Sequence, residues 1–351
     1  MAHVLVTGGG GYIGTCLVPK LLSLGHHVRL IDRLFFGADL LPEHPHLEVI
    51  REDSRHIQPQ HFKGIDAVID LVAISNDPSG ELFQEATWEI NHLSRARTAR
   101  LARAAGCGRY ILPSSCSIYG FLPDGVVATE DTPPNPLTTY ARANLAAERD
   151  VLALADTDFC VVALRQATVF GASPRMRFDL AINGMTFGAW KTGRLPLMRD
   201  GSQSRPMLHV ADAAAAMIFM LRAPVADING RIFNVGAPEN NYRIADLGRI
   251  VAETAPRPVE IEWYGDPDHR SYAVSFDRIE ALGYRATRRA EDGVREIWAA
   301  LDAGTLEKTP QTITLDWYRQ LDEWERRVRG LVLHGGMITL PGAAHTHIAA
   351  E

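Results

Sequence analysis

A cluster of four glycines at residues 8–11 separates an apolar run from a helical pattern near the N-terminus. The apolar run covers residues 2–6, the helical pattern covers 15–24, and a second apolar run at 28–31 ends at Asp32. This order predicts a strand, a tight turn, a helix and a second strand. Such a unit begins a doubly wound parallel sheet of the Rossmann type, in which helices cover both faces.

The same glycines indicate a dinucleotide site. Gly9, Gly11 and Gly14 fit the pattern G-x-G-x-x-G, and Gly8, Gly11 and Gly14 fit G-x-x-G-x-x-G. Either register allows a pyrophosphate to approach the backbone at the start of the helix. Asp32, 18 residues after Gly14, is placed to accept hydrogen bonds from ribose hydroxyls. A 2′-phosphate there would meet a like charge, so we expect NAD rather than NADP, although the neighbouring Arg33 weakens that preference.

Composition restricts the class of protein. With 351 residues, 46% hydrophobic and 22% charged, the chain is typical of a soluble α/β protein with one large domain, or a main domain and a smaller lobe. A net charge of −6 argues against nucleic acid and membrane surfaces as partners. No apolar run reaches the roughly 18 residues that span a bilayer, and no signal-peptide pattern is present. The four cysteines show no metal-ligand spacing, so we expect a cytoplasmic protein without a metal site.

Alternating periodicities predict the elements of this fold. The predicted strands are 2–7, 27–31, 47–50, 67–73, 110–114 and 160–166, followed by short strands at 231–235 and 259–263. The predicted helices are 13–24, a weak one at 57–62, 87–105, 139–155, 179–191, 211–221, 244–253 and 291–301. We therefore expect a dinucleotide-binding core at 1–171, a mainly substrate-binding lobe at 172–329 with some segments returning to the core, and a C-terminal tail at 330–351.

A serine and a tyrosine suggest the chemistry. Ser115 ends the predicted fifth strand, and Tyr140 opens a predicted helix 25 residues later. The carboxyl end of a strand and the start of a helix could bring both side chains over a nicotinamide ring. The tyrosine would take a proton from a sugar hydroxyl while hydride leaves the same carbon, and the serine would hold the oxygen.

At this point the sequence resembles the extended short-chain dehydrogenase/reductase family, in particular nucleotide-sugar epimerases and dehydratases of the UDP-galactose 4-epimerase type. The resemblance covers roughly residues 2–300 and includes the glycine turn, Asp53, Asn91, the Ser-x-x-x-Tyr-Gly segment at 115–120, Tyr140 and the segment 201–212. It implies NAD as cofactor, a nucleotide-sugar substrate, Ser115 as the polar partner and Tyr140 as the general base.

The glycine motif and the resemblance together predict two sets of contacts. The predicted cofactor contacts are Gly8, Gly11, Tyr12, Ile13, Gly14, Asp32, Arg33, Asp53, Ser54, Leu71, Ala73, Asn91, Tyr140 and Asn144. The predicted substrate contacts are Ser75, Ser115, Cys116, Ser117, Thr168, Arg175, Arg177, Asn183, Arg205 and Arg270. Arg175 and Arg177 precede a predicted helix, where they could form an anion site. The alternative is a surface loop whose arginines pair with Asp179.

One position departs from the family motif Tyr-x-x-x-Lys, because Asn144 stands where the lysine is expected. The lysine lowers the pKa of the tyrosine and holds the nicotinamide ribose. Asn144 could hold the ribose but brings no charge, which leaves Arg142 as the nearby cation that could favour a tyrosinate. At a pKa near 10 only about 0.1% of a tyrosine is ionised at pH 7. We therefore expect slow chemistry, a high pH optimum or a base from elsewhere, with a non-catalytic NAD- or nucleotide-sugar-binding protein as the alternative.

A second departure narrows the reaction. Sugar 4,6-dehydratases of the family carry an Asp-Glu pair after the strand-end Thr or Ser, and this chain has Cys116 and Ser117 there. Dehydration and decarboxylation are therefore disfavoured, which leaves epimerisation at C4, or net oxidation or reduction by a 4-dehydrogenase. The nucleotide and the sugar remain open. The family also pairs the helices equivalent to 87–105 and 139–155 between subunits, which implies a homodimer; the alternative is that both pack only within one subunit.

Overall fold

The computed structural model describes residues 1–123, 125–198, 200–265 and 271–331. The strands of this part of the chain are β1 (His3–Thr7), β2 (His27–Asp32), β3 (Leu47–Arg51), β4 (Ala67–Asp70), β5 (Arg109–Ser115), β6 (Val127–Ala128), β7 (Cys160–Gln166), β8 (Thr168–Phe170), β9 (Arg194–Met198), β10 (Ser204–His209), β11 (Arg231–Val235), β12 (Asn241–Arg243), β13 (Glu260–Tyr264) and β14 (Ala273–Val274).

The helices of the described residues alternate with these strands. They are α1 (Gly14–Ser23), α2 (Asp77–Leu82), α3 (Gln84–Trp88), α4 (Arg95–Ala104), α5 (Thr139–Leu152), α6 (Ala181–Thr192), α7 (Val210–Arg222), α8 (Val225–Ile228), α9 (Ile244–Thr254), α10 (Asp277–Ala281), α11 (Ala290–Asp302) and α12 (Thr314–Leu331). A π-helical segment, Glu89–Ser94, joins α3 to α4. None of the helices in the described ranges combines the length and the apolarity needed to cross a bilayer.

Seven parallel strands form the central sheet, in the order β11-β7-β5-β4-β1-β2-β3. This confirms the predicted doubly wound α/β fold. Successive residues of β1 are buried on opposite faces, since Val4 and Val6 pack with α1 and α7 while Leu5 packs with α4 and α5. Burial on both faces explains the uninterrupted apolar run from which this strand was predicted.

Strand β11 comes from the second half of the chain and extends the sheet beside β7. The other short strands form separate small sheets, namely β12-β10-β8, β13-β9 and β14-β6. The carboxyl ends of β1, β4, β5 and β7 therefore meet one edge of the main sheet, which the second half of the chain partly covers. This edge is where open α/β sheets bind their ligands.

Three predicted elements differ from the structure. The weak helix at 57–62 is replaced by short 3₁₀ turns, Ser54–His56 and Pro59–Phe62, because Pro59 forces Gln58 into an extended conformation. Strand β4 stops at Asp70 rather than at 73, since its partner β1 ends at Thr7. The first two residues of the tail predicted at 330–351 belong to α12, and residues 332–351 lie outside the described residues.

Candidate active site

A cavity of about 990 Å³ lies at the carboxyl edge of the main sheet. It brings together most of the predicted contacts, namely Gly8, Gly11, Tyr12, Ile13, Gly14, Asp32, Arg33, Asp53, Ser54, Leu71, Ala73, Ser75, Ser115, Ser117, Tyr140, Thr168, Arg175, Arg177 and Arg205. Four predicted contacts, Asn91, Cys116, Asn144 and Asn183, are buried away from its surface. Arg270 lies outside the described residues.

The glycine turn forms one end of the cavity. Gly8 has a φ of +67°, and a Cβ atom on it would lie 2.7 Å from the backbone nitrogen of Val72. A Cβ atom on Gly14 would lie 2.4 Å from the carbonyl oxygen of Gly9. Only glycine fits either position, because the turn and the first residue of α1 pack directly against neighbouring backbone. This close packing brings the glycine turn and the start of α1 to the edge of the cavity.

Two carboxylates follow the glycine turn along the cavity. Asp32 accepts hydrogen bonds from the backbone N–H groups of Gly10 (2.9 Å) and Leu34 (2.7 Å). Burial raises the pKa of Asp32, and these two hydrogen bonds oppose the rise. Burial would also raise the pKa of Asp53, but hydrogen bonds from Arg55 and the charges of Arg55 and Arg33 lower it to about 2. Asp53 is therefore held as a carboxylate over the working pH range.

Arg175 lies at the cofactor end of the cavity rather than with the predicted substrate contacts. Its backbone N–H is 3.4 Å from the Thr15 hydroxyl in α1, and its guanidinium lies 3.6 Å from the centre of the Phe36 ring. Nη2 donates to the Thr314 hydroxyl (3.0 Å), whereas Nε and Nη1 are buried and have no hydrogen-bond partner among the described residues. Burial and the neighbouring charge of Arg177 lower the pKa of Arg175.

Arg177 pairs with Asp179, as the alternative prediction of a surface loop expected. It forms a two-pronged ion pair with Asp179, with Nη2 2.6 Å and Nε 3.2 Å from the two carboxylate oxygens. Nη1 also lies 3.3 Å from the Ser75 hydroxyl. Arg177 itself is buried, and the side chains of both residues line the cavity wall.

Ser115 and Tyr140 both line this cavity. Ser115 ends β5, where its hydroxyl accepts a hydrogen bond from the N–H of Ser117 (3.1 Å). Tyr140 lies in the first turn of α5, which the Thr138 hydroxyl caps by accepting from the N–H of Ala141 (3.2 Å). Gly80 lets α2 pack closely against the start of α5, since a Cβ atom on Gly80 would lie 3.1 Å from the Cβ of Tyr140.

Groups around Tyr140 shift the pKa of its phenol in opposite directions. Burial raises the pKa of the phenol, and the charge of Asp77 adds to the rise. The hydrogen bond from Ser115 and the positive charges of Arg95 and Arg177 oppose it. Arg142 is not among these groups; its guanidinium is exposed and donates to the carbonyl of Leu137 (2.8 Å). The predicted role of Arg142 as the nearby cation is therefore wrong.

Asn144 does not hold a ribose, and that part of the prediction is wrong. Its Oδ1 accepts a hydrogen bond from Nη1 of Arg95 (2.8 Å), and its Nδ2 donates to the backbone carbonyl of Tyr140 (2.9 Å). Both ends of the amide are thus used inside the protein. Sequence reasoning missed Arg95, although its position four residues after Asn91 on a predicted helix puts it on the same face.

Three other predicted contacts also hold the protein together instead of facing the cavity. Asn91 exchanges hydrogen bonds with both the N–H (2.8 Å) and the carbonyl (2.9 Å) of Ile74, which fixes the cavity wall after β4. Asn183 accepts from the N–H of Gly171 (2.9 Å) and donates to the hydroxyl of Tyr12 (3.0 Å). Cys116 is fully buried, and burial raises the pKa of its thiol. These three side chains are buried away from the cavity surface, and the two amides satisfy protein groups there.

Sequence reasoning also missed the contribution of α12. Tyr318 lines the cavity, and its ring lies 5.9 Å from that of Phe36 and 6.3 Å from those of Phe35 and Phe83. Trp317 anchors the helix by donating to the carbonyl of Phe35 (2.7 Å). The available signal was the spacing of Trp317 and Trp324, seven residues apart, which is two helical turns.

Residues 4–236 match the model of the NAD dependent epimerase/dehydratase family. The chain belongs to this family. The match covers the whole main sheet, including β11, and the Ser115 and Tyr140 pair.

Several known proteins are similar to this epimerase/dehydratase family member. "Uncharacterized protein y4nG" of Sinorhizobium fredii is 28% identical over 244 residues, which span 67% of this chain and only 56% of that protein. "UDP-glucose 4-epimerase 1" of Oryza sativa subsp. japonica is 24% identical over 343 residues, or 84% of this chain and 93% of that protein. Among solved structures, "MoeE5 in complex with UDP-glucuronic acid and NAD" is 28% identical with a TM-score of 0.75, covering 86% of this chain and 99% of that one.

The residues at the glycine end of the cavity fit the NAD on which the family depends. Gly8, Gly11 and Gly14 line the cavity at the start of α1, where a pyrophosphate could approach the helix N-terminus. Arg175 also lines the cavity, beside Thr15 of α1, and its guanidinium charge suits a diphosphate. Asp32 offers carboxylate oxygens to a ribose, as expected for NAD.

Proposed function

We propose that this protein is an NAD-dependent nucleotide-sugar epimerase that inverts C4 of the sugar by transient oxidation. The observation that carries the proposal is the pairing of Ser115 with Tyr140 in one cavity with the glycine turn. The similarity to MoeE5, whose structures contain UDP-glucuronic acid or UDP-glucose together with NAD, supports a nucleotide-sugar substrate. The similarity to a UDP-glucose 4-epimerase supports the reaction type.

Tyr140 and Ser115 have different roles at the C4 hydroxyl of the sugar. The phenolate of Tyr140 takes the proton of the C4 hydroxyl, and the Ser115 hydroxyl holds the oxygen through the change from alcohol to ketone. Bound NAD supplies the acceptor and donor of the hydride. Tyr140 then returns the proton once the 4-keto sugar presents its other face. A single base therefore serves both halves of the reaction.

Neighbouring residues bind the rest of the substrate. Arg205 lines the cavity, with its guanidinium 5.2 Å from the centre of the Tyr272 ring, and suits the diphosphate of a nucleotide sugar. Ser117 and Thr168 also line this cavity. Cys116 stands where the dehydratases carry an acid, and its burial and raised thiol pKa give it no part in eliminating water. This arrangement favours hydride chemistry over dehydration.

The proposal is tested by incubating the purified protein with NAD and a panel of GDP-, UDP-, dTDP- and CDP-sugars. Proton NMR reports the sugar, and ultraviolet absorbance reports reduced nicotinamide. We expect one sugar to give its C4 epimer without net accumulation of NADH. A keto sugar with stoichiometric NADH would instead make the same residues those of a nucleotide-sugar 4-dehydrogenase. Tight binding without any turnover would indicate a binding protein and contradict the proposal.

A further inference from the structure

A buried arginine is linked through Asn144 to the helical turn that carries the proposed base. Arg95 begins α4 and is 2% exposed, among the largest fully enclosed side chains of the described residues. It does not face the cavity, and the mechanism above does not use it. A buried charge is costly unless something stabilises or requires it, so its surroundings need an explanation.

The guanidinium is fixed on two sides. Nη2 donates to the backbone carbonyls of Asp70 (2.9 Å) and Pro113 (2.8 Å), at the carboxyl ends of β4 and β5. Nη1 donates to Oδ1 of Asn144 (2.8 Å), one turn after Tyr140 in α5. Asn144 in turn donates to the backbone carbonyl of Tyr140 (2.9 Å). Arg95, Asn144 and Tyr140 therefore form one connected unit.

The charge of Arg95 is only partly offset. The nearest carboxylate oxygen, Oδ2 of Asp70, lies 4.0 Å from Nε, which has no hydrogen-bond partner among the described residues. Asp70 is itself engaged by the hydroxyls of Tyr110 and Thr7. Arg95 and Asp70 thus form a loose buried ion pair, while the hydrogen bonds of the guanidinium itself go to neutral acceptors. Its Nη1 side faces Asn144 of α5, and there its positive charge acts in a low-dielectric interior.

Other charged groups also act on Tyr140. Arg177 contributes positive charge from the far cavity wall, but its ion pair with Asp179 reduces the effect. Asp77 in α2 acts in the opposite direction. Within α5, Glu148 is neutralised by Arg165 at 2.8 Å, and Arg142 turns outward to Leu137. Arg95 is thus the cation placed to offset burial of the phenol.

We propose that Arg95 supplies, from α4, the positive charge that stabilises the Tyr140 phenolate, with Asn144 as the link that positions it. This deepens the proposed function and rests on it for the role of Tyr140 as base. It also explains why α5 carries an uncharged residue at 144. A lysine there would place a second buried cation against Arg95, and two like charges so close are unfavourable.

Arg95→Met tests the charge directly. The chain has nine tyrosines, so ultraviolet titration of tyrosinate is compared with the same titration of Tyr140→Phe to isolate one group. We expect Arg95→Met to raise the pKa of Tyr140 by about one unit or more, because loss of a nearby opposite charge has that effect. kcat at pH 7 should fall about tenfold or more, its rise with pH should move to higher pH, and KM should change little.

Two further variants separate the effect of the charge at Arg95 from the effect of losing its side chain. Asn144→Asp leaves Arg95 in place and sets a carboxylate against it, so it should also raise the pKa of Tyr140 even if Arg95→Met fails to fold. Asn144→Lys added to Arg95→Met should restore the wild-type titration, whereas Asn144→Lys alone should not improve on wild type. Arg97→Met is the matched control, because Arg97 also binds two backbone carbonyls from α4, those of Arg55 and Ile57, but lies away from the cavity.

The outcomes distinguish this inference from the proposed function. If Asn144→Asp and a folded Arg95→Met both titrate like wild type, the inference is overturned, even when the wild-type protein epimerises a sugar. If the titrations shift as expected but no sugar in the panel reacts, stabilisation of the Tyr140 phenolate stands and the proposed function fails. A shift of the same size in Arg97→Met would also overturn the inference, since it would reflect a general disturbance of α4.

Discussion

Tyr140 is the residue on which the proposed chemistry depends. Replacing it with phenylalanine removes the hydroxyl while keeping the ring and the Cβ atom that lies against Gly80. We expect kcat to fall about 10²- to 10⁴-fold, the usual contribution of a positioned general base, with the affinity for NAD nearly unchanged. Steady-state kinetics and NAD titration measure the two effects. Tyr242→Phe is the control, since its hydroxyl donates to Asn240 (2.8 Å) outside the cavity, and retained activity in Tyr140→Phe would contradict the mechanism.

Asp53 gives the stability of the protein a distinctive acid dependence. Its pKa is about 2 in the folded protein, against an ordinary value of 3.8, so its ionised form favours folding. That stabilisation is complete above pH 3.8 and is lost as the pH falls toward 2. We expect wild type to lose about 1 to 2 kcal/mol more than Asp53→Asn between pH 5 and pH 2.5. Urea unfolding at both pH values measures this, and equal losses in the two proteins would show that Arg55 and Arg33 do not stabilise the carboxylate.

At the scale of elements, α12 covers the cofactor end of the cavity. Trp317→Phe removes the hydrogen bond to the Phe35 carbonyl and should loosen Tyr318 and Thr314 against the cavity. A hydrogen bond of this kind contributes about 0.5–1.5 kcal/mol, so we expect NAD to bind roughly two- to tenfold more weakly with little change in the thermal midpoint. Trp324→Phe, on the same helix and 47% exposed, should bind NAD like wild type. Equal affinities in all three proteins would show that α12 does not seal the site.

The first half of the chain was predictable because its signals are local. An apolar run that is buried on both faces of the sheet identifies β1. Glycines at positions where no other residue fits identify the turn after Thr7. Ser115 and Tyr140 could be paired from sequence because a strand end and a helix start meet at the same sheet edge. Those predictions needed no knowledge of tertiary packing.

The wrong predictions concern side chains whose roles are set by distant partners. Asn91, Asn144 and Asn183 all satisfy buried groups, and nothing in an amide side chain reveals whether it faces a ligand or a backbone carbonyl. Arg95 was overlooked because an arginine in an amphipathic helix is ordinarily exposed. The position of Arg175 depends on Phe36 and Thr314, which are far apart in the sequence.

At the scale of the whole molecule, the long helical segment containing α3 and α4 exposes apolar side chains to solvent. Leu93 is 56% exposed and Trp88 38% exposed, which suits a surface that pairs with a second copy. We expect the protein to be a homodimer in solution and Leu93→Glu to shift it toward monomer by burying an unpaired charge. Light scattering after size exclusion measures both. Leu24→Glu, on the opposite face of the sheet, is the control, and a monomeric wild type at micromolar concentration would contradict the expectation.

The most direct test of the central claim follows the hydrogen at C4. The sugar that reacts in the panel is prepared with deuterium at C4 and incubated with the protein and NAD in ordinary water. If Tyr140 carries only the proton and the hydride returns to the same carbon, the epimer forms with its deuterium retained and no NADH accumulates. Epimer that has lost its deuterium to solvent, or a keto sugar that forms with stoichiometric reduced NAD, would contradict transient oxidation at C4.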